Sequence, residues 1–92
     1  MEQVRAHIIV DGRVQGVFFR ATARDVARRL GVTGWVKNRW DGKVELVVEG
    51  EKKAVEKMLR WCHKGPSGAV VTNVDVKWEP FKGEFGSFSI RY

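Results

Sequence analysis

Val4, Ala6, Ile8 and Val10 alternate with Arg5, His7, Ile9 and Asp11, the period of two expected of a strand with one face buried. From Phe19 the period changes. Phe19, Ala23, Val26, Ala27 and Leu30 recur three and four apart, with Arg24, Arg28 and Arg29 on other faces, which predicts an amphipathic helix ending near Gly31. Strand character returns over 34–38 and 43–49, on either side of Asp41-Gly42, a dipeptide suited to the positive φ angles of a hairpin turn. A second helix is predicted over 51–64. Ala54, Val55, Met58, Leu59 and Cys62 form its stripe, Glu51 stands at its start, and Lys64-Gly65-Pro66 stops it. After Gly65-Pro66-Ser67-Gly68, alternation resumes through Val70, Thr72, Val74, Val76 and Trp78, and a short last strand follows at Phe88, Ile90 and Tyr92.

The order is strand, helix, strand, strand, helix, strand, with one added C-terminal strand. Two split βαβ units of this kind predict an α+β, ferredoxin-like βαββαβ sandwich with both helices on one face of an antiparallel sheet. The chain has 92 residues, and dividing it would leave pieces too small to bury enough apolar surface, so 1–92 is expected to be a single domain. This fold hosts RNA binders, metal chaperones, regulatory modules and enzymes, so architecture leaves the function open.

Composition narrows the classes. Hydrophobic residues make up 43% and charged residues 30%, enough for a modest core under a well-solvated surface. No apolar run approaches the roughly 18 residues of a membrane span, so a soluble, unexported, cytoplasmic protein with no membrane partner is expected. Cys62 is the only cysteine, which excludes an internal disulfide framework and a clustered thiolate metal site. His7 and His63 have no clustered partners, and no metal is expected at either. Trp35, Trp61, Trp78 and the phenylalanines are chiefly core candidates, whereas Trp40 is expected to be exposed. The net charge is +6, from 17 Lys and Arg against 11 Asp and Glu, a field that attracts anions without naming one.

One segment could hold an anion. With Asp11 closing the first strand and the helix beginning near Phe19 or Arg20, Gly12 to Phe18 form a short loop emptying into a helix N-terminus, where free N–H groups and the dipole favour negative charge. Gly12 and Gly16 allow backbone angles closed to other residues and leave no Cβ in a ligand's way. Taken alone, the same loop also reads as a tight strand-to-helix connection. Arg20 weighs against that reading, because a cation in a first helical turn costs roughly 0.3–1 kcal/mol unless an anion offsets it. Its planar fork can hold two phosphate oxygens at once. In the predicted topology the first two strands run the same way with the third between them, which places Asn38 on the order of 10 Å from the loop. A carboxamide there can orient a water but is too weak a base to deprotonate it. Read locally, Asn38 is also an ordinary hairpin asparagine.

The chain resembles the acylphosphatase family over nearly its whole length. The resemblance rests on Gly12-Arg13-Val14-Gln15-Gly16-Val17-Phe18-Phe19-Arg20, on Leu30-Gly31-Val32-Thr33-Gly34-Trp35-Val36-Lys37-Asn38 with Asp41-Gly42 and Val44-Glu45, and more weakly on Gly65-Pro66 with Ala69-Val70. Trp40 is bulkier than that pattern leads one to expect, which bears on substrate access. The resemblance implies hydrolysis of a carboxyl phosphate to a carboxylate and inorganic phosphate, with no metal, cofactor or covalent enzyme intermediate. Gln15, Gly16, Val17, Phe18 and Phe19, through backbone amides, and Arg20 would bind the phosphate. Arg20 and Asn38 would be the catalytic residues. The expected partner is a small acyl phosphate, with inorganic phosphate as product and inhibitor and a monomer as the working form. Two other readings compete: a nucleic-acid-binding module on the same fold and a non-catalytic phosphate-sensing domain. Against the first, the third strand offers Glu45, Val47 and Glu49 where base stacking would call for aromatic residues. Retention of both Arg20 and Asn38 argues against the second.

Overall fold

The computed structural model describes residues 2–92, and its first alternating run becomes strand β1 (Gln3–Arg13). Helix α1 (Phe19–Leu30), strands β2 (Thr33–Asn38) and β3 (Val44–Glu51), helix α2 (Lys52–Lys64) and strands β4 (Val70–Glu79) and β5 (Phe88–Arg91) follow. The strands form one sheet in the order β4-β1-β3-β2-β5. Pairing is antiparallel between β1 and β3, β1 and β4, and β2 and β3, whereas β5 runs parallel to β2. The βαββαβ sandwich is as expected, and the added strand makes the sheet mixed.

One face of the sheet carries the core. Ala6, Ile8 and Val10 of β1, Val36 of β2, and Val44, Leu46 and Val48 of β3 pack with Phe19, Ala23 and Ala27 of α1 and Val55, Met58 and Cys62 of α2. Both helices end where the sequence places the stop. Gly31 takes the left-handed conformation (φ 76°), and the Val32 N–H reaches back 3.1 Å to the Ala27 carbonyl. None of the helices among the described residues is long and apolar enough to cross a membrane.

β1 continues past Asp11, where the alternation alone would end it. Its register against β4 shifts between Asp11 and Gly12, and Gly12 has φ 126°. A Cβ at that position would lie 2.0 Å from the Val70 carbonyl oxygen, so only glycine permits the bulge. Pairing resumes through Arg13 opposite Val70, and the connection to α1 shrinks to residues 14–18.

The opposite face is less open than the strand pattern suggests. The 80–87 connection crosses it, with the Lys82 N–H donating to Glu49 at 2.8 Å. Arg5 donates to Glu49 (3.3 Å), Glu79 (3.0 Å) and Glu84 (2.7 Å) and lies 5.4 Å from the centre of the Phe85 ring. Glu49 is buried beneath these contacts, and Val47 on the same face is buried too. The aromatic residues divide more evenly than expected. Phe19 and Phe88 are core, Trp40 is exposed as predicted, but Phe18, Phe81 and Trp78 are also exposed.

Candidate active site

The segment between β1 and α1 is built by two anchors and two backbone reversals. Val14 is buried, and Phe19 is buried against Trp61 with ring centres 5.1 Å apart. Between them Gly16 (φ 74°) and Phe18 (φ 62°, ψ 25°) take left-handed angles, the backbone reversals from which anion-binding concavities are built. Phe18 is the N-cap of α1. Its carbonyl accepts from the Thr22 N–H (3.0 Å) and the Thr22 hydroxyl (2.8 Å), which tightens the first turn. No side chain caps this helix, and its first turn contains no acidic residue. The positive end of the dipole is therefore left to whatever occupies the space before it.

That space is a cleft of about 290 Å³ lined by Val14, Gly16, Phe18, Phe19, Arg20, Ala21, Asn38, Ile90 and Tyr92. Gly16, Phe18, Phe19, Arg20 and Asn38, predicted as site residues, thus meet around one cavity. Gln15 and Val17 belong to the same loop, and their side chains turn away from the cleft. Val17 packs against the core. The Gln15 side chain turns toward the β2–β3 hairpin, where its amide donates to the Arg39 carbonyl at 2.8 Å and the Lys43 carbonyl at 2.9 Å.

Arg20 and Asn38 border the cleft from different elements, α1 and the end of β2. Asn38 is the last residue of β2, opposite Val44. Beyond it the hairpin is closed by the Arg39 N–H to the Lys43 carbonyl (2.8 Å) and by Arg39 on both Asp41 oxygens (3.2 Å each). That guanidinium holds the Asp41 carboxyl below its ordinary range. Arg20 is held differently. Its guanidinium carbon lies 5.1 Å from the centre of the Tyr92 ring, and no ion pair joins it to a carboxylate among the described residues. A ring positions a guanidinium without neutralising it or occupying its N–H groups.

Tyr92, Ile90, Val14 and Ala21 were not among the residues expected at the site. Lys37 pairs with Arg91 in the β2–β5 register, so Tyr92 emerges beside Asn38, and only the position of β5 brings it there. The other reactive side chains lie elsewhere. Cys62 is buried in the core, and burial pushes its thiol up to about 12, which removes it as a nucleophile. His7 bonds Glu45 on the opposite sheet face, and His63 sits 3.0 Å from the Leu59 carbonyl. Among the described residues no three His, Cys, Asp or Glu side chains converge in a way that could hold a metal ion.

A cleft bordered by an uncapped helix start, an arginine without an ion pair among the described residues and an asparagine suits a small phosphorylated ligand, and comparison with known proteins names the chemistry. The family model described as Acylphosphatase matches residues 6–90. An acylphosphatase of Pelotomaculum thermopropionicum is 53% identical over 92 residues, covering 100% of both chains. One from a Roseiflexus species is 58% identical over 90 residues, covering 98% of this chain and 97% of its own. The crystal structure of acylphosphatase from Bacillus subtilis superposes with a TM-score of 0.93 at 38% identity, covering 97% of this chain and 99% of that one.

Proposed function

Since this chain belongs to the acylphosphatase family and hydrolyses acyl phosphates to a carboxylate and inorganic phosphate, we propose that it does so by direct in-line attack of water, without a metal or a covalent enzyme intermediate. The observation that carries this reading is that Arg20, Asn38 and the uncapped start of α1 border one cleft.

The amides of Gln15, Gly16, Val17, Phe18 and Phe19 cradle the phosphoryl oxygens, and the guanidinium of Arg20 holds two of them bidentately. Charge spreads over those oxygens in the transition state, so the same donors bind more strongly as the reaction proceeds. Asn38 orients a water in line with the leaving carboxylate. Its carboxamide takes no proton. An acyl phosphate already has a good leaving group, and a phosphate oxygen of the substrate receives the water's proton, so positioning and electrostatics supply the rate. Val14, Phe18, Ala21, Ile90 and Tyr92 offer the acyl portion an apolar wall.

Inorganic phosphate, as product, competes for the same cradle. The domain acts as a monomer in the cytoplasm. Nucleic acid is not a partner under this reading, because the sheet face that would stack bases presents Glu45 and lies partly beneath the 80–87 connection.

The test is hydrolysis of a simple aromatic acyl phosphate, with chelator present, by the native chain, Arg20→Ala and Asn38→Ala. Arg20→Ala raises the inhibition constant for inorganic phosphate, whereas Asn38→Ala keeps phosphate binding and loses turnover by about 10²-fold or more. Comparable rates in all three proteins would sink the mechanism.

A further inference from the structure

The mechanism needs a water placed by one structural unit to meet a phosphorus held by another. The cradle belongs to residues 14–18 and the start of α1, and Asn38 belongs to the β2–β3 pair. Gln15 is the side chain that joins them. Resting on the division of labour proposed above, we infer that Gln15 is a positioning residue for catalysis, fixing Asn38 relative to the phosphate cradle through its side-chain amide.

The two N–H groups of the Gln15 amide are directed to two carbonyls, Arg39 at 2.8 Å and Lys43 at 2.9 Å. Those carbonyls also close the hairpin itself: Arg39 accepts from the Gly42 N–H at 3.3 Å and Lys43 from the Arg39 N–H at 2.8 Å. Gln15 therefore uses the remaining acceptor capacity of both. The amide orientation is set by chemistry, since the carbonyl end of Gln15 would repel both partners. Arg39 directly follows Asn38, so the clamp grips the hairpin one peptide from the carboxamide that aims the water. At its other end Gln15 follows the buried Val14 and precedes Gly16, which lines the cleft. A residue with no side-chain contact to the cavity thus sets the distance across it.

The consequence is a separation of effects. Loosening the clamp shifts Asn38 but leaves the amides and Arg20 in place, so phosphate affinity survives while turnover falls. Gln15→Met keeps the length and removes both donors. Gln15→Glu puts a charged acceptor against two carbonyls, and it regains one donor when protonated.

We would measure kcat and the inhibition constant of inorganic phosphate for both variants, alone and combined with Asn38→Ala. The expected result is a fall in kcat of about 10- to 100-fold, with the phosphate constant within about 2-fold of native. Combining Gln15→Met with Asn38→Ala should produce no further loss, because the clamp acts through the residue already removed. For Gln15→Glu, kcat relative to native at the same pH should recover as the new carboxyl is protonated. A merely structural role would give additive losses, a lower melting temperature and no such recovery. Additive losses, or a rise in the phosphate constant parallel to the fall in kcat, overturn the inference. If Gln15→Met fails to fold, the Gln15→Glu pH comparison decides alone. If Arg20→Ala and Asn38→Ala keep native rates, the underlying mechanism fails instead.

Discussion

Phe18 carries a Cβ into the left-handed region at φ 62°, a conformation that costs an L residue about 1–2 kcal/mol. Its ring is 82% exposed, so packing does not offset that cost, and the strain sits in the turn that leads into α1 beside the cleft. Arg20, two residues on, is legible from the sequence because a cation at a helix start is electrostatically out of place without an anion. Asn38 becomes legible once topology puts it on the same sheet edge. The side chain of Gln15 is not legible, because the strand-to-helix loop says nothing about which carbonyls stand opposite it. Tyr92 is hidden for a similar reason: its contact with Arg20 exists only through the placement of β5. Tyr92→Leu should raise the inhibition constant of phosphate by about 2- to 5-fold, the loss of a cation–π contact worth roughly 0.5–1 kcal/mol, and Tyr92→Phe should not. The ring is 96% exposed, so thermal unfolding should be unchanged in both. Native inhibition in Tyr92→Leu would exclude the contact as a support for Arg20.

The elements themselves follow from periodicity, which switches between two and three-to-four at places that match the strand and helix boundaries. What periodicity omits is pairing. The bulge at Asp11 and Gly12 is dictated by the neighbouring β4 backbone, and it shortens the connection between β1 and α1 from seven expected residues to five, 14–18. No element is predicted over 80–87, yet its Lys82 amide and Glu84 carboxylate, with Arg5 and Glu49, lock it across the sheet. Burial works to raise the Glu49 carboxyl, but the Lys82 amide and the Arg5 guanidinium outweigh it and hold the group below its ordinary value of 4.5. Arg5 likewise lowers Glu79. A carboxyl depressed in the folded state contributes stability above its unfolded value and loses it as pH falls through its folded value. Melting temperature should therefore be level down to about pH 5 and drop below pH 4.5. Glu49→Gln should cost about 1–3 kcal/mol near neutrality and converge with native in acid. A constant gap across that range, followed by thermal unfolding, would remove Glu49 from the account.

At the scale of the whole molecule, β1 is an interior strand of the sheet and pairs on both sides with strands remote from it in sequence, Gln3 opposite Glu51 and Arg5 opposite Glu79. The strand order was partly legible, since two split βαβ units dictate β4-β1-β3-β2, while the four-residue β5 carries too little pattern to select a partner. This arrangement also sets a timetable. The cradle follows β1, Asn38 ends β2 and Tyr92 follows β5, so no local stretch of chain assembles the cleft by itself. Contacts between distant segments slow folding, into the millisecond-to-second range for topologies dominated by them. Regain of hydrolysis after dilution from denaturant should share one rate constant with the tryptophan fluorescence change, and a separate lag in activity would show the cleft maturing after the sheet. Because the cleft closes only when the first, second and last strands are in place, each turnover by a refolding molecule marks a completed fold, and the enzyme's own chemistry becomes a clock for its assembly.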